Sequence, residues 1–562
     1  MDLKYTAKQV TKQGSKKAFL SGTRGLASLM AVSCLAFPLT AGASPAVPAP
    51  GKEILQSEEQ HKAEIENSLP EKGAGTEAGI RFMLSRIRIE HEGMKLPEEG
   101  LEEITSSLKN REITAAELDA ALNELTKYAR EKGYPAAIAY IPEQTARGGN
   151  LLIRFEPGRF GSIKLESEGS LKESAAHRPL AGLKSGNIIE AGSLEQSLRN
   201  LNDIPGLEAR AVISPGAEQG TSDLTVKLKA KAPNTYVLYT ENYGSRPAGR
   251  YRWGLQADWK NLGGTGSRLN AGALISNGRQ HGGSIAYEMP MGHSMTTLGI
   301  SYSHSDYELG SIWSQLGLKG TSDTISLYGR TPLFNRYANS VNLIYALNYR
   351  KLKDEFNGFD IGDRHSTSFS IGVDGTCRTA SNVLHYNVAL QAGRLSPESA
   401  VAKAIAALDG TRGDFVKGTF DLVSVQQMSG PFDVLLKFSG QVAGSNLDSS
   451  EHIYLGGARG VRAYPQGEAS GDEGIQGTME LRCHTKCPGL TLSTYLDAGH
   501  VHTVRSDSGG QTLKGWGLGL TYTKPDNWFA RLDYARRIGT GENLSSDARS
   551  RQRLWFLLGK IF

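Results

Sequence analysis

A glycine-rich stretch, residues 455–474, carries the side chains best suited to specific chemistry. It places Arg459, Arg462 and Tyr464 among six glycines and one proline. Such a composition disfavours the interior of a helix or strand. The stretch is also too long for a tight turn, and loops of this length are usually functional or disordered.

A strand pattern follows at residues 490–499, where leucines alternate with polar residues. Tyr495 and Asp497 therefore share the face opposite the leucines. An aspartate on the inner face of a strand, close in sequence to an arginine-bearing loop, predicts a charge-assisted Arg462–Asp497 pair with a bidentate geometry available to it. The alternative is an exposed loop with an unrelated, solvated aspartate, and these residues alone leave both interpretations open.

Length and composition narrow the class of protein. With 562 residues the chain is too long for one ordinary domain. Its 63 basic and 58 acidic residues leave a net charge of +5, too small and too scattered to indicate a nucleic-acid partner. After the leader, no run approaches the roughly 18 apolar residues that a membrane helix requires. The two classes of protein that remain are a soluble globular protein and a β-barrel.

The N-terminal part divides into a predicted leader and a linker. Residues 1–43 predict a signal peptide, because an apolar core follows the basic residues and Ala41–Ala43 forms a small-x-small cleavage motif. We therefore predict an exported protein. Residues 44–78 are rich in Pro, Ala, Glu and Lys, and residues 53–66 within them fit either a short helix or a flexible linker.

Three cysteines remain after the predicted cleavage site. Cys483 and Cys487 bracket a predicted turn, where an oxidising compartment permits a small disulfide. The spacing Cys-His-x-x-Cys is also compatible with a metal site, but the chain offers no second ligand pair. Haem attachment requires the order Cys-x-x-Cys-His, which is absent from this segment. We predict no metal and no cofactor.

Residues 79–158 predict a first α+β module with the order β-α-α-β-β. One strand is expected from Phe82 to Glu90, and a capping box at Thr114–Glu117 starts the second helix. The module gathers no set of His, Cys or carboxylate side chains. This favours a binding module over a catalytic one.

Residues 159–232 repeat the same order and predict a second module. A helical turn is expected over residues 180–183, and a second capping box is expected at Ser193–Gln196. The stretch Asn202–Gly206 ends the second helix, and two strands follow. This module also lacks a catalytic set.

Residues 233–562 predict an antiparallel transmembrane β-barrel. They divide into about sixteen alternating segments of about ten residues, as in Leu298–Ser303, where apolar residues alternate with glycine and serine. Short connections such as Lys524–Asn527 alternate with long ones such as Ser396–Gly413, as expected for periplasmic turns and external loops. The fold class is thus α+β modules followed by a sixteen-stranded barrel, and a soluble β-sandwich is the alternative.

These features together resemble a two-partner secretion transporter of the haemolysin/haemagglutinin activator-secretion type, within the superfamily that also contains barrel-assembly insertases. The most specific motif is Gly460-Val-Arg-Ala-Tyr-Pro465, followed by Gly467–Asp472. The commoner superfamily form has glycine where this chain has Ala463. The resemblance implies that both modules are periplasmic POTRA domains and that the loop folds into the lumen, where its arginine pairs with an aspartate of a following strand.

The resemblance also implies roles for individual residues. The predicted loop anchor comprises Arg462, Asp497, Tyr464, Gly460, Tyr495 and Gly499. Glu480 and Arg482 are predicted to face the lumen. Residues 53–66 match in position a helix that plugs the pore in some relatives. Phe562 ends an apolar strand pattern that resembles the C-terminal assembly signal of outer-membrane barrels, although Lys560 replaces a usually apolar residue.

The predicted function is export of another protein. The resemblance implies an outer-membrane transporter that binds a large, unfolded exoprotein of the adhesin, haemolysin or haem-binding class. Its other partners would be the barrel-assembly machinery and membrane lipid. A barrel-assembly insertase usually carries more modules, and a passive porin needs none. A surface enzyme would need a catalytic set, whereas His281, His304 and His452 are predicted to be isolated loop residues. The sequence leaves the exported protein and the oligomeric state open.

Overall fold

The computed structural model describes residues 64–69, 81–144, 147–168, 171–231, 234–504, 509–539 and 545–562. The predicted signal peptide and most of the predicted linker lie outside these ranges, so both stay predictions. Within the described ranges, no helix combines the length and apolar character needed to cross a membrane.

The first module follows a short strand, β1 (Ile65–Asn67). Its elements are β2 (Arg81–Leu84), β3 (Arg86–Glu90), α1 (Glu98–Ser106), β4 (Arg111–Thr114), α2 (Ala115–Glu131), β5 (Ile138–Tyr140), a 3-10 turn (Arg147–Gly149) and β6 (Asn150–Glu156). The predicted capping box is present, because the Thr114 hydroxyl accepts from the Glu117 amide and the Glu117 carboxylate accepts from the Thr114 amide.

The single strand predicted over Phe82–Glu90 is wrong. The chain breaks at Ser85, whose amide donates to the Gly149 carbonyl at 2.8 Å. As a result, β2 pairs with β4, while β3 pairs with β6 in a separate sheet. An extra strand between the two helices, β4, therefore completes this module.

The second module contains a four-stranded sheet. Its elements are β7 (Arg159–Glu168), α3 (Glu173–Ala176), α4 (Ala191–Asn202), β8 (Leu207–Pro215) and β9 (Thr221–Ala230). The strand order is β1-β8-β9-β7, so the first strand of the described chain joins this sheet rather than that of the first module. Of residues 53–66, for which a short helix or a flexible linker is expected, the last two lie in β1 and are extended, while residues 53–63 lie outside the described ranges.

Two local predictions for the second module have different outcomes. A turn is present at residues 180–183, where the Leu183 amide donates to the Leu180 carbonyl at 2.9 Å, and the short helix α3 lies just before it. The second capping box, in contrast, is wrong. Helix α4 starts at Ala191, so Ser193 is inside the helix and makes no cap. The reason is tertiary, because the Ala191 amide donates to the Gly133 carbonyl of the first module at 2.9 Å.

The rest of the chain forms a closed antiparallel barrel, which confirms the predicted fold class. Its first strands are β10 (Asn234–Glu241), β11 (Arg252–Leu262), β12 (Ser267–Ser276), β13 (Arg279–Met291), β14 (Thr296–Glu308), β15 (Lys319–Asn335), β16 (Asn339–Phe356), the two-residue β17 (Phe359–Asp360) and β18 (Arg364–Arg378). They are followed by β19 (Asn382–Pro397), α5 (Ala400–Asp409), β20 (Gly413–Gln427), β21 (Phe432–Ala443), β22 (Ile453–Tyr454), β23 (Ser470–Gly471), β24 (Glu473–His484), β25 (Leu490–His502), β26 (Gln511–Thr523), β27 (Trp528–Arg537) and β28 (Gln552–Ile561). Strand β10 pairs with β28 and closes the ring.

Apolar side chains cover the outer surface of the barrel, while small and polar side chains face inwards. Leu298 and Ile300 of β14 are 40% and 51% exposed, whereas Ser301 of the same strand faces inwards and is buried. This alternation follows directly from the two-residue period of a strand. The long connections, which include 3-10 helices at Ser311–Leu316, Ser449–Glu451 and Ser546–Arg549, all lie at one end of the barrel.

The second module contacts the opposite end, where the connections are short. Arg199 donates to the Asn335 side chain at 3.1 Å, and the Asn335 amide donates to Asp203 at 2.7 Å. The Tyr337 amide donates to Glu195 at 2.7 Å. Burial raises the pKa of the Asp203 carboxyl, and the hydrogen bond from Asn335 opposes this shift. Helix α4 is therefore fixed against the turn between β15 and β16.

Candidate functional site

The connection between β21 and β24, residues 444–472, folds into the barrel and is called the inner loop below. Strands β22 and β23 pair within it as a small hairpin. The predicted bounds of 455–474 are too late at both ends, because Glu473 and Gly474 already belong to β24. Leu455, Val461 and Tyr464 are buried against the barrel wall.

Two predicted anchor residues, Gly460 and Gly499, allow the inner loop to approach the wall closely. The Val461 amide donates to the Leu455 carbonyl at 2.7 Å, which bends the loop tightly. A Cβ atom at Gly460 would lie 2.0 Å from that carbonyl oxygen. A Cβ atom at Gly499 would lie 2.8 Å from the Leu455 side chain. Both positions therefore exclude a larger residue without movement of the loop.

Arg462 and Asp497 make the predicted contact, and its geometry is bidentate. Arg462 Nε donates to Asp497 Oδ2 at 2.9 Å, and Nη2 donates to Oδ1 at 2.9 Å. The Arg462 backbone amide also donates to Oδ2, at 3.1 Å. Both side chains are almost fully buried. A buried charge is tolerated only when it is paired and hydrogen-bonded, as it is here.

Two further carboxylates complete the surroundings of Arg462. Its Nη1 donates to Glu480 at 3.1 Å and to Asp533 at 3.2 Å. Arg531 also bonds both carboxylates, at 3.1 Å to Glu480 and 2.6 Å to Asp533. Arg462, Glu480, Asp497, Arg531 and Asp533 are called the inner cluster below. Two cations thus face three carboxylates around the tip of the inner loop.

Aromatic residues cover the inner cluster. The Arg462 guanidinium lies over the Tyr495 ring, and the Trp555 indole donates to the Arg462 carbonyl at 2.7 Å. Tyr464 is buried with the Arg537 guanidinium 4.6 Å from its ring centre. These contacts exclude water from the ion pairs, and each ion pair is therefore stronger than it would be in solvent.

Ala463 departs from the commoner glycine of this motif, and the opposite strand accommodates its methyl group. Residue 515 on β26 is glycine, and a Cβ atom there would lie 2.6 Å from the Ala463 Cβ. The space between residues 463 and 515 holds one methyl group, and Ala463 supplies it. Alanine in place of glycine at residue 463 therefore leaves the loop tip in contact with the wall.

A second group of charges, Glu451, Arg350 and Lys417, fixes the start of the inner loop and is called the outer cluster below. Lys417 Nζ lies 2.8 Å from one Glu451 carboxylate oxygen, and Arg350 Nη1 lies 3.1 Å from the other. Gln441 donates to the Glu451 carbonyl at 2.9 Å. Lys417 and Gln441 lie near the long-loop ends of β20 and β21.

Sequence reasoning missed the outer cluster, and it missed Arg531 and Asp533. A signal was present for the latter pair, because Arg531 and Asp533 are two residues apart and so share the inward face of β27. Arg350, Lys417 and Glu451 carry no comparable local signal. They come from two strands and a loop that are far apart in sequence.

The two residues predicted to face the lumen, Glu480 and Arg482, belong to different ion-pair groups in the structure. Glu480 belongs to the inner cluster, whereas Arg482 pairs with Asp433 at 2.5 Å, close to the short-turn end of β24. Asp433 also contacts His484. Phe562 follows β28, and its amide donates to the Tyr236 carbonyl at 2.9 Å, so it takes part in barrel closure.

The disulfide that the sequence permits between Cys483 and Cys487 is not formed in this structure. Cys483 still belongs to β24 and is opposite Leu492, while Cys487 lies in the following turn. The Thr485 hydroxyl accepts from the Cys487 amide and orders this turn instead. Across the described ranges, no group of three or more His, Cys, Asp or Glu side chains is arranged to hold a metal ion.

The three histidines predicted to be isolated loop residues are placed differently. His281 and His304 lie in β13 and β14, and each contacts an aspartate of a neighbouring strand. His452 does lie in the inner loop, but it contacts the buried Asp472 at 3.0 Å. None of the three is therefore isolated.

Comparison with known proteins agrees with this architecture. The sequence profile of the haemolysin secretion/activation proteins ShlB/FhaC/HecB matches residues 220–522, and the profile of the ShlB-type POTRA domain matches residues 82–158. The haem/haemopexin transporter HuxB of Haemophilus influenzae strain 86-028NP is 25% identical over 500 residues, covering 86% of this chain and 88% of HuxB.

Two further relatives are transporters named CdiB. The outer-membrane transporter CdiB of Dickeya dadantii is 23% identical over 85% of this chain and 87% of its own. The solved structure of CdiB from Escherichia coli superposes with a TM-score of 0.70 at 22% identity, over 88% of this chain and 93% of that chain. The structural match shows a common fold. Because the family profile covers more than half of its residues, including the inner loop, the chain belongs to the ShlB/FhaC/HecB family of two-partner secretion transporters of the outer membrane.

Proposed function

We propose that this transporter exports one large cognate protein, which its periplasmic modules bind in an extended, unfolded state. The observation that carries the proposal is the inner loop, whose tip is fixed inside a polar lumen by buried charge. A polar lumen can solvate the backbone of a passing chain, which hydrocarbon cannot do. Passage requires the inner loop to leave part of the lumen while remaining attached.

We further propose that the second module is a POTRA domain like the first. Like the first module, it places its helices after an opening strand and before two closing strands, although it lacks a strand between the helices and the POTRA profile matches residues 82–158. Sheet edges offer unpaired backbone groups to an extended peptide, and strand addition is a common mode of peptide recognition. Two such modules provide successive binding surfaces ahead of the barrel.

The exported protein is proposed to be an adhesin, a haemolysin or a haem-binding protein. The names of the relatives support this range, since they include a haem/haemopexin transporter and a haemolysin transporter. We propose that the barrel-assembly machinery inserts the chain through its C-terminal strand and Phe562, and that lipid surrounds the apolar outer face. We propose no enzymatic activity and no cofactor, because the buried charges pair with one another.

The test compares culture supernatants of cells with and without this chain by quantitative mass spectrometry. We expect one large protein to disappear from the supernatant and to accumulate or be degraded in the periplasm. The levels of other outer-membrane barrels serve as the control. An unchanged supernatant with several barrels depleted would instead indicate an insertase.

A further inference from the structure

A groove of about 350 Å³ lies where the second module meets the turn between β13 and β14, and it is called the junction groove below. Ile163, Leu180, Ala181 and Leu183 form its apolar side. Leu180 and Leu183 belong to the buried core of the second module, and Ile163 packs against that core. The volume is within the range of about 300–1,000 Å³ that sites for small molecules occupy.

The other side of the junction groove is polar. Its lining residues are Ser174, His177, Arg178 and His293. Arg178 Nη1 donates to the Pro290 carbonyl, near the end of β13, at 3.0 Å, which holds the guanidinium beside the turn. The exposed carboxylate of Glu173 lies 3.4 Å from His177. The junction groove therefore joins an apolar side to a side that carries charges of both signs.

Both sides of the junction groove are fixed relative to the barrel. Met295, at the end of the turn between β13 and β14, has its side chain in the buried core of the second module. The Lys172 amide, just before α3, donates to the Gly264 carbonyl in the turn between β11 and β12 at 2.8 Å. The position of the groove relative to the membrane is therefore set by the barrel.

The turn between β13 and β14 reaches the headgroup layer of the membrane. Met291, the last residue of β13, is apolar and 43% exposed on the outer face of the barrel. Tyr236 and Trp528 are exposed near the same ends of their strands, as expected where an apolar band meets a membrane interface. His293 follows Met291 by two residues, which span at most about 7 Å. Because the headgroup layer adds about 5–8 Å on each side of the hydrocarbon, His293 lies at the level of the lipid phosphates.

We propose that the junction groove binds one phospholipid of the periplasmic leaflet that has an ethanolamine headgroup. The acyl chain lies against Leu180 and Leu183. The phosphate faces Arg178 and His293, and the ammonium group of the headgroup faces Glu173. The bound lipid ties the second module to the membrane surface, which is a role separate from recognition of the exported protein.

Two features favour a lipid over a soluble anion or a peptide as the occupant. The groove begins two residues from the lipid-facing side chain of Met291, so a lipid enters it from its own leaflet. A free phosphate would contact the guanidinium but would leave the apolar side without a partner. Basic side chains at a membrane surface recognise lipid headgroups, and the paired carboxylate matches a zwitterionic headgroup.

The test places the full-length chain in nanodiscs that contain phosphatidylethanolamine with a photoreactive diazirine in its acyl chain. Crosslinked peptides are quantified by mass spectrometry after irradiation, and we expect them to include residues 174–183. Ala181→Trp puts an indole into the groove and is expected to lower this yield about tenfold, because the acyl chain is excluded. Ala217→Trp, in the exposed turn between β8 and β9, is the control and is expected to leave the yield unchanged.

A second variant tests the headgroup contact. Arg178→Gln is expected to lower the crosslinking yield about threefold or more, because a charge-assisted hydrogen bond to the phosphate is lost. Lys524→Gln, in the short turn between β26 and β27, is its control. The same diazirine in phosphatidylglycerol, which has no ammonium group, is expected to give a lower yield from the wild-type chain.

The inference fails if the wild-type chain gives no crosslinks at residues 174–183. Equal yields from the wild type and Ala181→Trp, with insertion of both verified by heat-modifiable gel mobility, would also overturn it. An equal or higher yield from phosphatidylglycerol would overturn the ethanolamine headgroup. None of these outcomes bears on the proposed function, because export of the cognate protein is measured separately.

Discussion

Charged residues have different surroundings in the barrel and in the modules, although the same residue types occur in both. In the barrel, Arg462 and Asp497 have side chains that are 5% and 1% exposed. In the first module, Arg154 and Glu90 form a pair of similar length with side chains that are 47% and 32% exposed. The modules are held together by apolar cores, whereas the inner loop is attached by buried charge together with a small apolar cluster.

The difference has a physical consequence for mutation. Removing one partner of a buried ion pair leaves an uncompensated charge, which costs about 3–5 kcal/mol. Removing one partner of an exposed pair typically costs about 0–1 kcal/mol, because water solvates the remaining charge. Substitutions in the inner cluster, the outer cluster and the first module should therefore have effects of decreasing size.

The largest effect is expected for Arg462→Ala. This change leaves Asp497, Glu480 and Asp533 with Arg531 as their one remaining cation in the inner cluster, at a cost of about 3–5 kcal/mol to the attached state of the loop. We expect export to fall strongly while barrel insertion continues, since the strand pairing is untouched. Export is measured in the supernatant, and insertion is measured by heat-modifiable gel mobility of outer-membrane fractions.

Arg394→Ala is the matched control for Arg462→Ala. Arg394 forms a bidentate pair with Asp414 between β19 and β20, but both side chains are more than two-thirds exposed. We expect export to remain near the wild-type level. Normal export from a correctly inserted Arg462→Ala variant would contradict the role given to the inner cluster.

A smaller effect is expected for Glu451→Gln in the outer cluster. The change removes the negative charge between Lys417 and Arg350 but keeps the side-chain volume, and hydrogen bonds to a charged group contribute about 1.5–3 kcal/mol. We expect faster proteolysis of the inner loop from outside intact cells, with export reduced less than in Arg462→Ala. Glu398→Gln, at an exposed carboxylate, is the control. Equal protease resistance of both variants would show that the outer cluster does not hold the loop.

The smallest effect is expected for a surface pair in the first module. The hydrogen bond with Glu98 raises the pKa of His91 above its ordinary value of 6.5. The pair therefore contributes stability that is fully present below pH 6.5 and is lost as pH rises through the raised pKa. Because Glu98 is exposed, we expect the His91–Glu98 pair to contribute less than about 1 kcal/mol to the stability of the first module.

Hydrogen exchange of the first module in the full-length protein, at about pH 5 and about pH 8, measures this contribution. Intrinsic exchange rates are corrected for pH before comparison. His91→Gln is expected to remove the excess protection at low pH. If the corrected protection of the variant depended on pH as strongly as that of the wild type, the His91–Glu98 pair would not be its source.

Much of the barrel could be predicted because its signal is local. A strand wall between lipid and a polar lumen requires alternation at every second residue, and residues such as Leu298 and Ser301 show it in a short window. The same two-residue alternation predicted that Tyr495 and Asp497 lie on the inner face of their strand. The arginine-bearing motif then indicated the partner, and the structure contains that contact.

The remaining features depended on residues that are distant in sequence. Ala191 begins α4 where Gly133 accepts its amide, so the local capping signal at Ser193 was outweighed. Residues 65–67 became a strand because β8 offered them an edge, although their sequence also fits a helix. Periodicity and motif spacing establish which face a residue occupies and which family the chain resembles. Closure of the barrel and docking of the modules decide which buried charges meet, because a charge inside a protein must find its partner wherever the fold places one.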